Sequence, residues 1–379
     1  MKAIYVDEAN PYYSTRNDLL YSKDGKRLIC GPNGKEEVLI DKDTEIISES
    51  AFSNNRTTKF TIEEGVKTIE TRAFERCKKL YSLTLPNSVT SIGEYVFANS
   101  DFKELHLGNG ITTIPSYAIY QCSSLSKVTI PGSVKNIQYS AIGDNQHLSS
   151  ITFEEGVETL EPYSISFNSS LTRITFPSSL RTIDDYAFIS SPALKSVTLP
   201  EGLVKIGTGA FSHSTLLETI SIPSTVSEIG QGINQYCTDF KNYTMPNGND
   251  NFVIHDSSLY SSDMKRLLSV PQYYGEPGYH TYEVASTVEV IDNFAFNYSI
   301  RISKVVLPVS LKSIGAGLFV NSAVNEIEYL GTVSEWENVS KGGIVEGTET
   351  EWNLLCNVRE VKCSDANYEI PQEPVEDLA

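Results

Sequence analysis

The chain of 379 residues is poor in basic residues, in cysteine and in long apolar runs. Its 30 Lys and Arg are outnumbered by 48 Asp and Glu, for a net charge of −18. This balance argues against a nucleic-acid or anionic-membrane surface, because such surfaces need clustered Lys and Arg. No apolar run approaches the roughly 18 residues that a membrane helix requires. Six cysteines without a Cys-x-x-Cys pair fit neither a disulfide scaffold nor a zinc ribbon.

The sequence is built mainly from a repeat of 23 residues. A fixed period of this length indicates a solenoid, in which stacked repeats bury a continuous core that a single repeat cannot bury. The length alone would instead have indicated two or three globular domains. The leading apolar residues are spaced 23, 22, 23, 23, 23, 23 and 23 residues apart, and they are Val66, Val89, Ile111, Val134, Val157, Leu180, Leu203 and Val226.

Each repeat also carries a strand signature, with apolar residues at positions i, i+3 and i+5, as in Leu125, Val128 and Ile130. The last two share one face of a strand because side chains alternate with period two. Proline lacks an N–H group and therefore ends the ladder. It follows this strand at Pro86, Pro131, Pro177, Pro200, Pro223 and Pro308. We expect about eleven such rungs, stacked at roughly 4.8 Å.

A second, longer duplication involves a hairpin module. Residues 2–32 align without gaps onto residues 241–271, at an offset of 239, and Asp24-Gly25 is a good hairpin turn. The second copy follows a complete set of rungs, whereas the first follows nothing, so we expect Met1 to lie inside a longer natural array. Residues Met1–Asp7 contain too short an apolar stretch for a signal peptide. The protein is therefore either intracellular or exported by a signal that is missing from this sequence.

The repeats and modules predict five segments. They are an N-terminal hairpin module at 1–43, a repeat block at 44–232, an inserted hairpin module at 233–285, a second repeat block at 286–330, and a C-terminal cap with an acidic tail at 331–379. The last segment contains the only two tryptophans, Trp336 and Trp352, which we expect to seal the last rung. The Pro-rich residues 371–374 are typical of disorder.

The repeat, written Val-x-x-Ile-Gly-x-x-Ala-Phe-x-x-Cys-x-x-Leu-x-x-Val-x-Ile-Pro, resembles that of BspA-like (Treponema-type) leucine-rich-repeat surface proteins over roughly residues 44–330. The resemblance implies an α/β-type repeat solenoid, predominantly β with short helical or irregular segments, curved as a right-handed horseshoe. It also implies a non-enzymatic bacterial protein, exported or on the cell surface, that adheres to host proteins, matrix proteins or other cells. The chain departs from the wider leucine-rich-repeat pattern because Pro and small residues replace its Asn ladder.

Outward-facing strand positions form two columns that are rich in Thr and Ser. Such a surface can bind a protein or a glycan through many weak hydrogen bonds, or it can simply solvate the sheet, since Thr is a good exposed strand former. We expect specific contacts at the charged positions that interrupt the columns. The candidate binding surface consists of Glu104, His106, Lys127, Thr129, Thr152, Arg173, Thr175 and Thr198.

An aromatic column precedes the Ala-Phe position of the repeat. It offers a recognition stripe, because Tyr is enriched at interfaces, or it covers the flank of the core with its hydroxyl groups in water. Gly209 and Gly317 occupy the same repeat position and would interrupt such a stripe. The column consists of Tyr95, Tyr117, Tyr163, Tyr186 and Phe294.

The cysteines are interpreted as structural. Cys77 and Cys122 share one repeat position where other repeats carry small polar residues, which indicates thiols packed in a turn. Cys356 and Cys363 are able to pair in an oxidising compartment, and the sequence does not decide whether they do. Cys30 and Cys237 show no partner signature.

No catalytic or metal-binding constellation is visible, so we predict no enzyme, no cofactor and no metal site. The five histidines fall at different repeat positions with no acid or nucleophile at fixed spacing. His255-Asp256-Ser257 contains the residue types of a triad, but a triad is a spatial arrangement. The acidic pairs at 63–64 and 154–155 lack an alternating calcium loop and are typical of solvated turns.

The sequence therefore predicts a monomeric, non-enzymatic protein at a bacterial cell surface or secreted. It binds a protein, or a glycan, by avidity along an extended repeat surface. Two alternatives stay open. One is an architectural spacer that displays another domain, and the other is a glycan-binding or glycan-degrading accessory protein.

Overall fold

A computed structural model describes residues 2–342 and 358–370. The chain forms two compact units, of which unit 1 comprises residues 1–194 and 200–207 and unit 2 comprises residues 195–199 and 208–379. Each unit is a leucine-rich-repeat solenoid built almost wholly from β-strands, which confirms the predicted fold class. Cys356, Trp352 and the Pro-rich tail lie outside the described residues.

In unit 1 most turns contribute one long strand and one short strand, and the long and short strands pair in different sheets. The hairpin strands are β1 (Tyr13–Arg16), β2 (Leu19–Ser22) and β3 (Arg27–Cys30). The long strands are β4 (Glu37–Ile40), β6 (Lys59–Ile62), β8 (Ser82–Thr84), β10 (Glu104–His106), β12 (Lys127–Ile130), β14 (Ser150–Phe153) and β16 (Arg173–Thr175). The short strands are β5 (Ile46–Ile47), β7 (Thr68–Ile69), β9 (Ser91–Ile92), β11 (Thr113–Ile114), β13 (Asn136–Ile137), β15 (Thr159–Leu160), β17 (Thr182–Ile183) and β19 (Lys205–Ile206).

Unit 2 repeats this plan and ends in a short helix and a terminal hairpin. Its long strands are β18 (Ser196–Thr198), β20 (Thr219–Ser221), β22 (Asn242–Thr244), β26 (His280–Glu283), β28 (Ile302–Leu307), β30 (Glu326–Tyr329), β32 (Glu360–Lys362) and β33 (Asn367–Glu369). Its hairpin strands are β23 (Phe252–His255), β24 (Ser258–Ser261) and β25 (Arg266–Ser269). Its short strands are β21 (Glu228–Ile229), β27 (Val290–Ile291), β29 (Ser313–Ile314) and β31 (Ser340–Lys341), and its helix is α1 (Val333–Asn338).

The alternation within each long strand explains the core. In β12, Val128 and Ile130 are buried while Lys127 and Thr129 are exposed, as the i+3 and i+5 positions predict. Equivalent residues pair in register with those of the next turn, for example Val128 opposite Ile151 in β14. Each turn thus stacks its apolar side chains on the same positions of its neighbour.

The hairpin modules are part of the stack. In unit 1, β3 pairs in parallel with β5, and in unit 2, β25 pairs in parallel with β27. The two units together contain about 14 turns, more than the eleven predicted, because the modules contribute turns that the repeat spacing does not count.

Helix α1 begins with a capping box at Thr332, whose backbone N–H donates to the Glu335 carboxylate at 2.8 Å. The box points the following residue, Trp336, into the core, where it is fully buried with its ring centroid 5.4 Å from that of Tyr329. The tryptophan therefore packs on the last residue of β30, within the last rung that the sequence predicts.

A column of buried small polar side chains, which we call the turn ladder, joins successive turns. In unit 1 it consists of Asn55, Cys77, Ser100, Cys122, Asn145, Asn168 and Ser191. The Asn145 side chain accepts the Cys122 N–H at 2.8 Å and donates to the Ile119 carbonyl at 2.9 Å. The Asn168 side chain makes the same two bonds one turn later, to Asn145 N–H and the Ile142 carbonyl. This mixed ladder of Asn, Ser and Cys lies in the turn before the long strand, whereas Pro and small residues follow the strand.

Ser100, Cys77 and Cys122 make related bonds at their ladder positions, whereas the buried Ser191 hydroxyl has no hydrogen-bond partner. Ser100 Oγ accepts the Cys77 N–H at 2.9 Å and donates to the Phe74 carbonyl at 2.8 Å. The Cys77 and Cys122 thiols each donate to the carbonyl of an aromatic residue one turn earlier, at 3.3 Å. Both thiols are fully buried and belong to the turn, as the sequence predicts. In unit 2, Cys237 donates to the Phe211 carbonyl at 3.2 Å, a role that the sequence analysis missed.

We expect Asn168→Ala to lower the free energy of unfolding by on the order of 3 kcal/mol, because it orphans a buried N–H and two buried carbonyl groups. Asn136→Ala, at an exposed position of β13, should change it by less than about 0.5 kcal/mol. Denaturant melts of the two variants test this difference. Equal effects would mean that the ladder does not stabilise the stack.

The buried thiols also predict a response to alkaline pH. Burial raises the pKa of Cys122 from its ordinary value near 9 to about 12. Above pH 9 the unfolded chain loses this proton while the folded chain keeps it, so stability falls by about 1.4 kcal/mol per pH unit as pH rises toward 12. Cys122→Ser keeps a ladder donor and removes this titration. Thermal midpoints measured from pH 8 to 11 should therefore fall less steeply in the variant, and parallel curves would contradict the account.

Candidate binding surface

Six of the predicted site residues are exposed on two adjacent sheets in unit 1. A seventh, Thr152, is half-buried on β14, between Thr129 and Thr175. Strands β12, β14 and β16 form one sheet, in which Thr129 lies opposite Thr152 and Thr152 opposite Thr175. The same register places Lys127 opposite Ser150, and Ser150 opposite Arg173. The parallel pairing therefore gathers the predicted columns into a long-strand face, which we define as the outward side chains of β10, β12, β14 and β16.

The hydrogen-bonded sheet of this face is interrupted between β10 and β12. Strand β10 pairs with β8, while β12 begins the sheet that continues to β14 and β16. A surface cleft of about 560 Å³ lies at the interruption. Four predicted residues line it together, namely Glu104, His106, Lys127 and Thr129.

Among the other residues that line the cleft are three charged or polar ones that the sequence analysis did not select, Lys103, Asn109 and Glu154. They flank the ends of the long strands, so the alternation of side chains within a strand does not identify them. One sequence signal does point here, because the only 22-residue interval among the seven repeat spacings, from Val89 to Ile111, contains β10.

The charges of the cleft are only partly satisfied within the chain. His106 Nε2 lies 3.8 Å from a carboxylate oxygen of Glu104, and Glu154 accepts the backbone N–H of Gly132 at 3.2 Å. Neither Lys127 nor Arg173 has a side-chain hydrogen bond or an ion pair within the described part of the chain, and both are exposed. The charged groups of Lys127 and Arg173 are therefore exposed to solvent on β-strands, where they can donate hydrogen bonds to a partner.

Thr198 is on β18 of unit 2 and is exposed there. It pairs with Ser221 of β20, in a sheet that ends at β22. Thr198 does not belong to the long-strand face of unit 1, so its part in binding stays a separate prediction.

The aromatic column forms a continuous stack in unit 1, which we call the tyrosine stripe and which consists of Tyr95, Tyr117, Tyr139, Tyr163 and Tyr186. Successive ring centroids lie 4.6, 5.7, 5.3 and 5.2 Å apart. Tyr139 comes from the position before the column and closes the gap that Ser140 leaves, which the sequence analysis missed. The guanidinium of Arg72 caps the end of the stack, 4.9 Å from the ring of Tyr95.

The backbone conformation at this column explains why glycine occurs at some of its positions. Tyr95, Tyr117, Tyr163 and Tyr186 have φ between 55° and 59°, and Gly209 has φ of 58°. This left-handed conformation is unfavourable for residues with a Cβ and favours glycine. Contacts between neighbouring rings offset that cost in unit 1: Tyr95 stacks on Tyr117 and Tyr163 stacks on Tyr186, while Tyr139 meets its neighbours edge-on or tilted. The rings of the stripe therefore pack on one another.

The other candidate groups have structural roles. Asp256 and Ser257 form the left-handed turn between β23 and β24, and the Asp256 carboxylate accepts a hydrogen bond from Tyr274. Glu64 and Glu155 accept backbone N–H groups of the following turn, which lowers the pKa of both carboxyl groups. No cluster of three or more His, Cys, Asp or Glu suited to a metal ion occurs among residues 2–342 and 358–370. In those same ranges, no helix combines the length and apolarity of a membrane span.

Comparison with known proteins places these features in a family. The profile described as "BspA type Leucine rich repeat region (6 copies)" matches residues 45–171, 165–274 and 272–340. A leucine-rich repeat protein from Bacteroides ovatus ATCC 8483 has a TM-score of 0.53 at 19% identity, over 93% of this chain and 91% of that chain.

A leucine-rich repeat protein from Eubacterium ventriosum ATCC 27560 has a TM-score of 0.55 at 19% identity, and the match covers 63% of this chain and 60% of that chain. At such identities the two structures show the shared fold. The comparison with curated proteins finds no match. The repeat spacing, the solenoid turns and a profile that matches well over half of the residues agree, and the chain belongs to the BspA-type leucine-rich repeat family.

Proposed function

We propose that the chain is a non-enzymatic binding protein of the bacterial cell surface or secreted fraction, which adheres to protein partners through the long-strand face of unit 1. The observation that carries this proposal is the cleft between β10 and β12, where predicted contact residues converge beside an unpaired Lys127. The family assignment supports an exported or surface location.

The chemistry of the cleft favours a macromolecular partner. Pockets that enclose small ligands are mostly apolar and aromatic. This cleft is lined by charged and polar side chains with a few aliphatic ones, and it contains no Phe, Tyr or Trp. Charges of both signs on a rigid sheet suit a partner surface with complementary charges, which provides specificity and a faster association.

The unpaired cations point to acidic groups on the partner. Lys127 and Arg173 lie two strands apart on one sheet, with Ser150 between them. An exposed cation without an internal partner loses no ion pair when it binds a carboxylate. The neighbouring threonines supply hydroxyl groups that donate and accept hydrogen bonds. When several turns each contribute a weak contact of this kind, the contacts add up to a higher overall affinity.

We expect Lys127→Glu to weaken capture of an immobilised partner about tenfold, or about 1.4 kcal/mol. The thermal midpoint should stay within about 2 °C, because the side chain is exposed and unpaired. Full-length protein is assayed against a panel of purified extracellular-matrix proteins and against whole cells, and the strongest interaction is measured by biosensor.

The matched control is Lys135→Glu, in the same turn. Lys135 lies beside the short strand β13 and pairs with Glu158 at 2.9 Å. Its reversal should leave capture unchanged. Equal capture by the wild type, Lys127→Glu and Arg173→Glu would reject the long-strand face, and that result is the one expected of an architectural spacer.

The tyrosine stripe gives a complementary test, because the stacked rings have a structural role. Tyr163→Gly and Tyr163→Ala should both leave capture unchanged while lowering stability. The alanine variant should be less stable than the glycine variant by about 1 kcal/mol, since alanine keeps the cost of a positive φ. Denaturant melts and the same biosensor measure both effects. Loss of capture in these variants at unchanged stability would move the binding site to the stripe.

A further inference from the structure

The two hairpin modules have the same backbone arrangement. In module 1, Tyr13 pairs with Ser22, and in module 2, Phe252 pairs with Ser261, at the offset of 239 residues seen in the sequence. The irregularity in register recurs at the same place, between Leu20 and Tyr21 and between Leu259 and Tyr260. Differences in burial between the copies therefore report what surrounds each module.

Equivalent apolar positions are half-exposed in module 1 and buried in module 2. Tyr13 is 44% exposed, whereas its counterpart Phe252 is 8% exposed. Ile29 is half-buried, whereas Leu268 is 2% exposed. The same contrast holds for Ile4 and Tyr243, for Leu20 and Leu259, and for Cys30 and Ser269.

A preceding repeat turn covers module 2. Strand β22, at the start of the module, pairs in parallel with β20. Ser269 Oγ donates to the side chain of Asn234 at 2.8 Å, and Tyr273 N–H donates to the Phe240 carbonyl at 2.9 Å. The turn at residues 218–240 thus supplies a strand edge, polar partners and apolar cover.

One asparagine links module 2 to the turn that precedes it. The Asn249 side-chain oxygen accepts the N–H groups of Asn251 and Phe252, at 2.8 and 3.0 Å. Its amide nitrogen then donates to the carbonyl groups of Pro223 and Val226, both at 2.9 Å. The side chain therefore holds the residues at the start of β23 against the turn of the preceding repeat.

Module 1 holds the same asparagine in the same conformation. The Asn10 side-chain oxygen accepts the N–H groups of Tyr12 and Tyr13, both at 2.9 Å. The Asn10 amide nitrogen has no acceptor within the described part of the chain. Residues 3–5, the counterpart of β22, form no strand, and the Ile4 N–H donates to the Asp18 carbonyl at 3.1 Å. The Asn10 donor and the apolar positions are thus present in module 1 without the strand pairing that covers module 2.

We infer that this open face of module 1, formed by Ile4, Asn10, Tyr13, Ile29 and Cys30, docks a leucine-rich-repeat turn of the kind that residues 218–240 present to module 2. Its occupant is a β-solenoid turn with a long-strand edge, carbonyl groups for Asn10 and an apolar flank. This docking is independent of the long-strand face.

The test adds such a turn to the full chain. A copy of residues 180–240 is joined directly to Lys2. Since Lys2 is the counterpart of Lys241, this junction reproduces the natural one between Phe240 and module 2. Peptide mapping by mass spectrometry follows maleimide labelling of Cys30, whose counterpart Ser269 is 4% exposed. We expect labelling of Cys30 to slow about tenfold or more in the extended chain.

The matched control carries the same extension with Ile220→Asp and Ile222→Asp, two buried positions of that copy that prevent it from stacking. Here Cys30 should label at the rate of the unextended chain. Equal labelling in all three proteins, or equal slowing by both extensions, would overturn the proposal.

A second measurement needs only the natural chain. Ile29→Asp should shift the thermal midpoint by no more than about 2 °C, because the face is open. Leu268→Asp, at the covered position of module 2, should lower it by about 8 °C or more. Equal losses would show that module 1 is already covered, and the docking face would then be rejected.

Discussion

Hydrogen bonds between consecutive turns, made by buried side chains of the turn ladder, are the constraint on which this structure depends. A buried N–H or carbonyl group without a partner destabilises a fold by about 1–3 kcal/mol, and every turn of a solenoid has such groups where the chain bends. Asn145 and Asn168 each satisfy one N–H and one carbonyl of the preceding turn. At these two positions the ladder therefore satisfies buried backbone groups and joins one turn to the next.

The ladder and the apolar columns use the inward positions of each repeat, which leaves the outward positions free to vary. That freedom explains why β12 carries Lys127 and Thr129 between buried Val128 and Ile130. The same rigid scaffold holds residues at positive φ, and stacking of the tyrosine stripe offsets part of that cost. Structural and binding functions are thereby divided between faces of one repeat.

The solenoid and the strand positions could be predicted from the sequence because both depend on periodicity, which a single sequence displays. The position of Cys77 and Cys122 was recognised as a packed turn, but its hydrogen-bonded ladder was missed because three residue types share it. Small size and a hydrogen-bond donor, rather than identity, define that position. The cleft could not be derived in the same way, because a break between β10 and β12 depends on backbone geometry across turns.

The proposed function requires that partners bind the long-strand face of unit 1. Hydrogen–deuterium exchange of the full-length protein, free and bound to its strongest partner, measures this. We expect protection on binding to be confined to residues 103–109 and 126–131 and to the strands β14 and β16. Protection at the tyrosine stripe, at Tyr95 to Tyr186, with no change in these segments would contradict it.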